Sequence, residues 1–362
     1  MLEQASVFRV DESTDIGKGH FSRCTTMAAH LIALDIPCLF ICQYISEGSK
    51  ARLQQLKIDC CEIDTSNPTT EISDAYKSWE IIQHYVFAKN ILLVVDSYRL
   101  GFVWESFLYD KVTRLCVIDD LNGRMHKCHM AIDQTYGVTQ EQIKKLLPVT
   151  QLHCLGSQYA LVGKDFAELR EFSLARRKDK KTKAENILIT MGGSDPVNAT
   201  SLVLDALQRY ERGKKLKITV IVGELCPHLE IIQQRVAGMN VSAIDVLINV
   251  SPKKMAQLMA ACDICISAAG STMWELATLG VPTLAMQTAD NQQKVLDNLS
   301  AEWSVYSLGK FQSLTPVRLC EMLLDILNGK INLHDLARKI AKVADGKGVE
   351  RVVETLLSGR LR

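Results

Sequence analysis

Short apolar runs of strand length, each handing over to a helix-like stretch, recur along almost the whole chain and limit its fold more than any other feature. In the N-terminal half these runs are residues 6–10, 37–42, 91–96, 114–119 and 130–133. In the C-terminal half they are 186–191, 217–222, 241–249, 262–267 and 283–286. Helical patterns between them include 21–34, 198–210, 253–261 and 273–279. Short apolar strands alternating with helices predict parallel sheets covered on both faces. The alternation stops at a charged run, 176–183, which reads as a solvated linker or helix end, and then restarts. The expected fold class is therefore α/β, with two Rossmann-like domains facing a cleft in the GT-B manner. The expected division is 1–155, a linker region 156–184, and 185–362. Residues 349–357 read as a closing amphipathic helix, and Asp345-Gly346-Lys347-Gly348 before it as an ordinary flexible connection.

Composition narrows the function classes. A net charge of +1 over 362 residues gives no basic field for nucleic acid or an anionic membrane. No apolar run reaches the roughly 18–20 residues of a membrane span. The N-terminus enters a strand without a basic and apolar leader, so the expected compartment is the cytosol. The 12 cysteines are scattered, and Cys38, Cys42, Cys116 and Cys265 sit inside apolar runs, where reduced cysteine packs as a small hydrophobe. Cys262 and Cys265 have C-x-x-C spacing without a second pair, which reads as core. His126, Cys128 and His129 are too close in sequence to suit zinc well. Neither metal nor cofactor is expected.

The chemistry concentrates in turns at strand ends. Gly17-Lys18-Gly19-His20 lies between the first strand and the helix that starts near Phe21, and its glycines let backbone approach a ligand closely. The positive end of the helix dipole disfavours an imidazolium at His20, and a neutral imidazole can take a proton from water. Capping the helix or binding phosphate is the alternative for the same residue. In the second half Gly270-Ser271-Thr272 aims N–H groups and hydroxyls at a phosphate, and Glu275 in the following helical turn is placed to accept bonds from a ribose diol. Gly192-Gly193-Ser194-Asp195 and Asp290-Asn291-Gln292 are further turns at the same level. Asp96-Ser97-Tyr98 and Asp119-Asp120 end two strands of the first half. Asp119 and Asp120 point in different directions in an extended backbone, which favours capping and contacts to substrate hydroxyls over a metal.

Taken in order, Arg9-Val10-Asp11, Gly17-Lys18-Gly19-His20-Phe21-Ser22-Arg23-Cys24, Asp96-Ser97-Tyr98, Val117-Ile118-Asp119-Asp120-Leu121, Gly192-Gly193-Ser194-Asp195 and Ala269-Gly270-Ser271-Thr272 resemble one family. It is the UDP-2,4-diacetamido-2,4,6-trideoxy-β-L-altropyranose hydrolase family of pseudaminic acid synthesis, and the resemblance runs from about Phe8 to Val353. The chain departs from the family pattern at His129 and Gly163. The resemblance implies a GT-B enzyme that passes its sugar to water, releasing UDP with inversion and without a metal. It implies that His20 activates the water and that Tyr98 lines the same pocket. Glu275 and Asn291 hold the nucleotide sugar, and Gly270, Ser271 and Thr272 cradle the leaving pyrophosphate. Gly17, Lys18, Gly19, Asp96, Gly193 and Ser194 complete the expected substrate contacts. The expected partner is a UDP-sugar, with no nucleic acid and no membrane. The alternatives are a glycosyltransferase using a related donor and a UDP-sugar-binding protein without catalysis. An apolar docking face would favour a lipid acceptor, and the sequence alone displays none.

Overall fold

The computed structural model describes residues 2–12, 18–64, 70–178, 184–209, 216–239 and 243–361. The chain divides into two compact units, residues 1–161 with 347–362, and residues 162–346. The first unit holds a seven-stranded sheet, β1 (Leu2–Val10), β2 (Cys38–Cys42), β3 (Asp59–Glu62), β4 (Ala88–Asp96), β5 (Arg114–Ile118), β6 (Met130–Asp133) and β7 (Leu152–Leu155). Its strand order is β3-β2-β1-β4-β5-β6-β7, and every pairing is parallel. The second unit holds β8 (Asn186–Thr190), β9 (Lys217–Val222), β10 (Ala243–Ile248), β11 (Ile264–Ala268), β12 (Thr283–Gln287) and β13 (Tyr306–Lys310). Their order, β10-β9-β8-β11-β12-β13, is again all parallel. Both units are thus Rossmann-like α/β folds, as the alternation predicts.

Alternating side chains explain why the strands read as continuous apolar runs. Phe8, Val10, Phe40, Cys42, Leu92, Val94, Cys116 and Ile118 fill the core on one face of the first sheet. Val7, Leu39, Ile41, Leu93, Val95, Leu115 and Val117 fill the core on the other. Successive residues point to opposite faces, so a strand covered on both sides is apolar nearly throughout, and a polar residue such as Arg9 is held there by its partners Asp11 and Asp74. On the first of those faces lies helix α1 (Gly19–Ile32), which buries Phe21, Cys24, Met27, Ala28 and Leu31, a stripe at helical spacing.

Four sequence expectations need correction. The helix Gly348–Ser358 belongs to the first unit, because Val349, Val352, Val353 and Leu356 complete the core that α1 covers. The region 156–184 is not simply a linker, since it contains the 13-residue helix Lys164–Arg176 of the second unit. Of the charged run, residues 179–183 lie outside the described residues; its start is the helix end that the sequence suggests, at Arg176, but Arg177 is buried and Arg176 half-buried. They donate to the Met259, Ala260 and Cys262 carbonyls at the end of helix Pro252–Ala261, where cations offset the helix dipole. The turn before the last helix is not loosely held either. A Cβ on Gly348 would fall 2.2 Å from the Ala160 carbonyl oxygen, and one on Gly346 2.8 Å from Thr278 Cγ2. Among the described residues no helix is long and apolar enough to cross a membrane.

Candidate active site

In each unit the strand order reverses at the centre of the sheet, and open α/β sheets bind ligands beyond the carboxyl ends of the strands at such a reversal. In the first unit the reversal lies between β1 and β4, whose ends pair Val10 with Asp96. The chain leaves β1 and enters α1 at Gly19, with Lys18 at the N-cap making no side-chain capping bond. Gly17 lies outside the described residues. His20, in the first turn of α1, is only 6% exposed, and Asp96 is 1% exposed. His20 Nδ1 comes 2.6 Å from Asp96 Oδ1, a close approach that lies off the direction of a linear hydrogen bond. With Nδ1 turned to the carboxylate, Nε2 is the nitrogen left to exchange a proton with a ligand.

Tyr98 closes this group. Its ring meets the His20 ring edge-on, with centroids 4.5 Å apart and planes at 88°. Its hydroxyl donates to Asp120 Oδ1 at 2.6 Å. Arg23 grips Asp96 with two donors, Nε to Oδ2 at 2.5 Å and Nη2 to Oδ1 at 2.7 Å, and reaches Asp120 Oδ2 with Nη1 at 2.8 Å. Burial alone drives the Asp96 carboxyl up, but the charge of Arg23, then His20, outweighs it and holds the group well below the usual carboxylate range. Asp96 is therefore an anion at every pH at which the protein works. The expected neighbourhood of His20, Asp96 and Tyr98 is present; Arg23 carried no expected role although its i, i+3 spacing from His20 puts both on one helix face.

A second buried group supports the loop that carries Tyr98. Asp119 and Asp120 do point apart: Asp120 faces Arg23 and Tyr98, whereas Asp119 accepts from Leu121 N, Arg124 Nε and His126. Arg124 in turn donates to the carbonyls of Ser97, Tyr98 and Leu100. His126 sits between two carboxylates, Nδ1 2.6 Å from Glu105 Oε1 and Nε2 2.7 Å from Asp119 Oδ2. Burial pulls its pKa down, but Asp119 and Glu105 prevail and raise it to about 9. The other two members of the suspected ligand cluster do different work. Cys128 contacts Thr150, and His129 accepts from Leu115 N while stacking on Tyr109.

In the second unit the reversal lies between β8 and β11, and the two glycine turns leave from those strands. Gly192 has φ +84°, in the left-handed region that favours glycine. Gly193 packs against Gly223, beyond β9, so closely that a Cβ on Gly223 would sit 2.1 Å from the Gly193 carbonyl oxygen. Ser194 follows, half-buried. The next helix, Ala199–Gln208, already has its anion: Asp195 accepts from Ala199 N and Thr200 N. The helix Thr272–Leu279 differs, because its N-cap Ser271 makes no side-chain capping bond. Gly270 is half-buried, Ser271 exposed, Thr272 half-buried, and Glu275 lies in the first turn. The turn Asp290–Gln292 lies against this end, Gln292 Nε2 being 3.7 Å from where a Cβ on Gly270 would stand, and Asn291 is exposed there. This end presents the positive end of a helix dipole, which suits an oxyanion or phosphate, although Met273 N and Trp274 N already donate to the Gly270 and Ser271 carbonyls.

One surface feature departs from the sequence reading. Ile72, Tyr76, Phe102 and Val103 are exposed large hydrophobic residues. They lie on helices Glu71–Tyr85 and Phe102–Leu108, which meet through the Tyr76–Phe107 ring pair at 4.4 Å and through Glu71, whose carboxylate accepts from Gly101 N and Trp104 N. The first unit thus exposes large apolar side chains on these two helices.

Comparison with known proteins agrees with this geometry. Residues 186–352 match the glycosyltransferase family 28 C-terminal domain. The chain is 26% identical over 212 residues to the spore coat polysaccharide biosynthesis protein SpsG of Bacillus subtilis, covering 57% of this chain and 60% of that protein. It is 22% identical over 291 residues to the uncharacterized protein MJ1062 of Methanocaldococcus jannaschii, covering 80% of this chain and 56% of that one. The chain therefore spans less than two thirds of the length of either curated relative. Among solved structures, MurG of Acinetobacter baumannii superposes with a TM-score of 0.68 at 12% identity, over 98% of this chain and 99% of that one. The UDP-GlcNAc 2-epimerase of Neisseria meningitidis bound to UDP-GlcNAc gives 0.65 at 13% identity, over 98% of this chain and 100% of that one. The fold is that of GT-B glycosyltransferases and epimerases, and its relatives include a protein of polysaccharide biosynthesis.

Proposed function

We propose that the chain hydrolyses a UDP-linked 2,4-diacetamido-2,4,6-trideoxy sugar to UDP and the free sugar, as a step toward a nonulosonic acid of the pseudaminic type. The second unit takes the nucleotide: the uncapped start of helix Thr272–Leu279 receives the pyrophosphate, and Glu275 and Asn291 hold the rest of the UDP-sugar, with Gly193 and Ser194 at the neighbouring turn. The first unit supplies the base. Water adds to the anomeric carbon as the bond from that carbon to the phosphate oxygen breaks, the electron pair leaves with UDP, and the water proton passes to His20 Nε2. Attack from the face opposite the leaving group inverts the anomeric centre. Stabilising the leaving pyrophosphate with preorganised donors makes a metal unnecessary, each such donor contributing about 3–4 kcal/mol at the transition state.

The observation that carries this reading is the buried His20 imidazole backed by an ionised Asp96. A carboxylate-backed imidazole is suited to accept a proton, which binding alone does not require. A second reading, transfer to an apolar acceptor, is favoured by the exposed side chains of Ile72, Tyr76, Phe102 and Val103 and by the family 28 match.

The test is UDP release from the diacetamido-trideoxy-altrose donor in H₂¹⁸O, with EDTA and no acceptor. Hydrolysis puts one ¹⁸O on the free sugar and none on UDP. Binding without release replaces the hydrolase reading by the transferase one, and a donor that does not bind rejects the sugar.

A further inference from the structure

We propose that Arg23 is a positioning residue that sets the basicity and orientation of His20 through Asp96 and Asp120, and is not itself a phosphate-binding cation. This inference rests on the reading of His20 as the base. An arginine one turn into the helix after a glycine turn invites assignment to the pyrophosphate. The geometry points elsewhere. Three of its N–H directions are spent on carboxylates: Nε and Nη2 on Asp96, and Nη1 on Asp120. The side chain is buried, 7% exposed, and its charge is faced by two anions. A buried guanidinium held in this bidentate manner is a fixed structural charge, and withdrawing it toward a ligand would strand Asp96 in the interior.

The five side chains form a closed circuit. His20 Nδ1 meets Asp96 Oδ1, the same oxygen that Arg23 Nη2 holds. Arg23 meets Asp120 Oδ2, Asp120 Oδ1 accepts from Tyr98, and the Tyr98 ring returns edge-on to His20. Among the described residues, the charged and titratable groups around His20 are Asp96 and Tyr98 from β4 and the loop after it, Arg23 and Cys24 from α1, and Asp120 from the turn after β5. Two carboxylates and one guanidinium give the circuit a charge of −1 while His20 is neutral and zero once it has taken a proton. Asp96 alone is balanced by Arg23, and the second carboxylate, Asp120, supplies the negative charge that matches an imidazolium. Arg23 thus offsets half of the negative charge that the imidazole meets and fixes the direction of Asp96 at the same time.

The experiment compares Arg23→Met, Arg23→Lys and Asp120→Asn in the full chain by NMR titration of the His20 ring, assigned by its loss in His20→Asn. Removing the cation should raise the His20 titration midpoint, and removing the Asp120 charge should lower it. Arg23→Lys, which keeps charge without the fork, should leave the midpoint within a few tenths while kcat for UDP release falls about tenfold and KM stays within twofold. Because the midpoint is read without turnover, failure of the hydrolase reading leaves this test standing. An unchanged midpoint in folded Arg23→Met, or the wrong sign in Asp120→Asn, overturns the proposal, as does a loss of UDP affinity in Arg23→Lys with kcat intact. Where Arg23→Met does not fold, the opposite-sign shift of Asp120→Asn and the kcat loss of Arg23→Lys decide it.

Discussion

In the proposed reaction His20 serves as the base, with Nδ1 turned to the Asp96 carboxylate and Nε2 as the proton acceptor. His20→Asn preserves the helix start and much of the polarity but removes the proton acceptor. The expected result is a kcat for UDP release lower by about 10²–10⁴-fold, the usual worth of general-base catalysis, with the UDP dissociation constant unchanged within twofold. Isothermal titration beside steady-state rates checks both, and a variant that turns over near wild type removes His20 from the mechanism. Two of the Tyr98 contacts can be separated by substitution. Tyr98→Phe keeps the edge-on ring against His20 and loses the hydroxyl bond to Asp120, whereas Tyr98→Ala loses both. We expect the alanine variant to lose at least tenfold more kcat than the phenylalanine variant; equal losses would mean that the ring contact contributes nothing. Of these residues His20, Asp96 and Tyr98 are legible in the sequence as strand-end and turn positions. The partnership of Arg23 with Asp96 and Asp120 is not, because it joins positions 73 and 97 apart along the chain, and no local spacing records such a pairing.

At the scale of elements, the glycine turn at the end of the second unit's sheet depends on one close backbone approach. Gly223 must be glycine because a Cβ there would enter the Gly193 backbone, whose carbonyl carbon and Cα lie 2.5 and 2.6 Å from it. Gly223→Ala therefore has to displace the 192–195 turn. It should cost about 1–3 kcal/mol in urea unfolding, as overpacking does, and weaken UDP binding together with it. Gly192→Ala meets open space and pays only for its left-handed φ, about 1–2 kcal/mol. If both variants behave alike, close approach is not what Gly223 supplies. The loop that carries Tyr98 depends instead on charge. His126, with a pKa raised from 6.5 to about 9, stabilises the folded unit while it is protonated in the native state. That stabilisation is fully present below 6.5 and is lost as pH rises through 9. Asp119, which burial would raise but His126 and Arg124 hold at about 2, contributes the opposite limb, lost as pH falls through 2. The two shifts share one ion pair and do not add. The urea midpoint of the first unit should fall between pH 6.5 and 9.5 in the wild type and stay flat over that range in His126→Gln. The elements are mostly legible in the sequence, and the strands missed share a cause. β3, β7 and β13 are edge strands, short and open on one side, so the apolar run that marks a central strand is absent from their sequences.

At the scale of the whole molecule, two similar sheets with separate cores make a chain whose halves report separately on stability and on ligand. The doubling was legible because alternation of strand and helix restarts after the charged run. The return of the chain was not: the spacing of Val349, Val352, Val353 and Leu356 shows that one face of the last helix is buried, but amphipathicity does not say against which core. Packing decides it, since these four side chains complete the first unit's core beside Phe21 and Met27. Removing them therefore acts on the unit that begins the chain rather than on the one that precedes the helix. Leu356→Ala, at a fully buried site, should destabilise the first unit by about 2–5 kcal/mol and leave the second unit's transition in place. Trp79 and Trp104 lie in the first unit and Trp274 and Trp303 in the second, so paired Trp→Phe backgrounds let fluorescence follow each unit alone. UDP supplies the complementary perturbation. A ligand that binds only the native second unit stabilises it by about 2.7 kcal/mol at 100 times its dissociation constant, so UDP should raise the transition seen by Trp274 and Trp303 in both wild type and Leu356→Ala. A UDP-induced rise confined to the Trp79 and Trp104 signal would put the nucleotide on the other unit, and a Leu356→Ala loss seen only by Trp274 and Trp303 would return the last helix to the second.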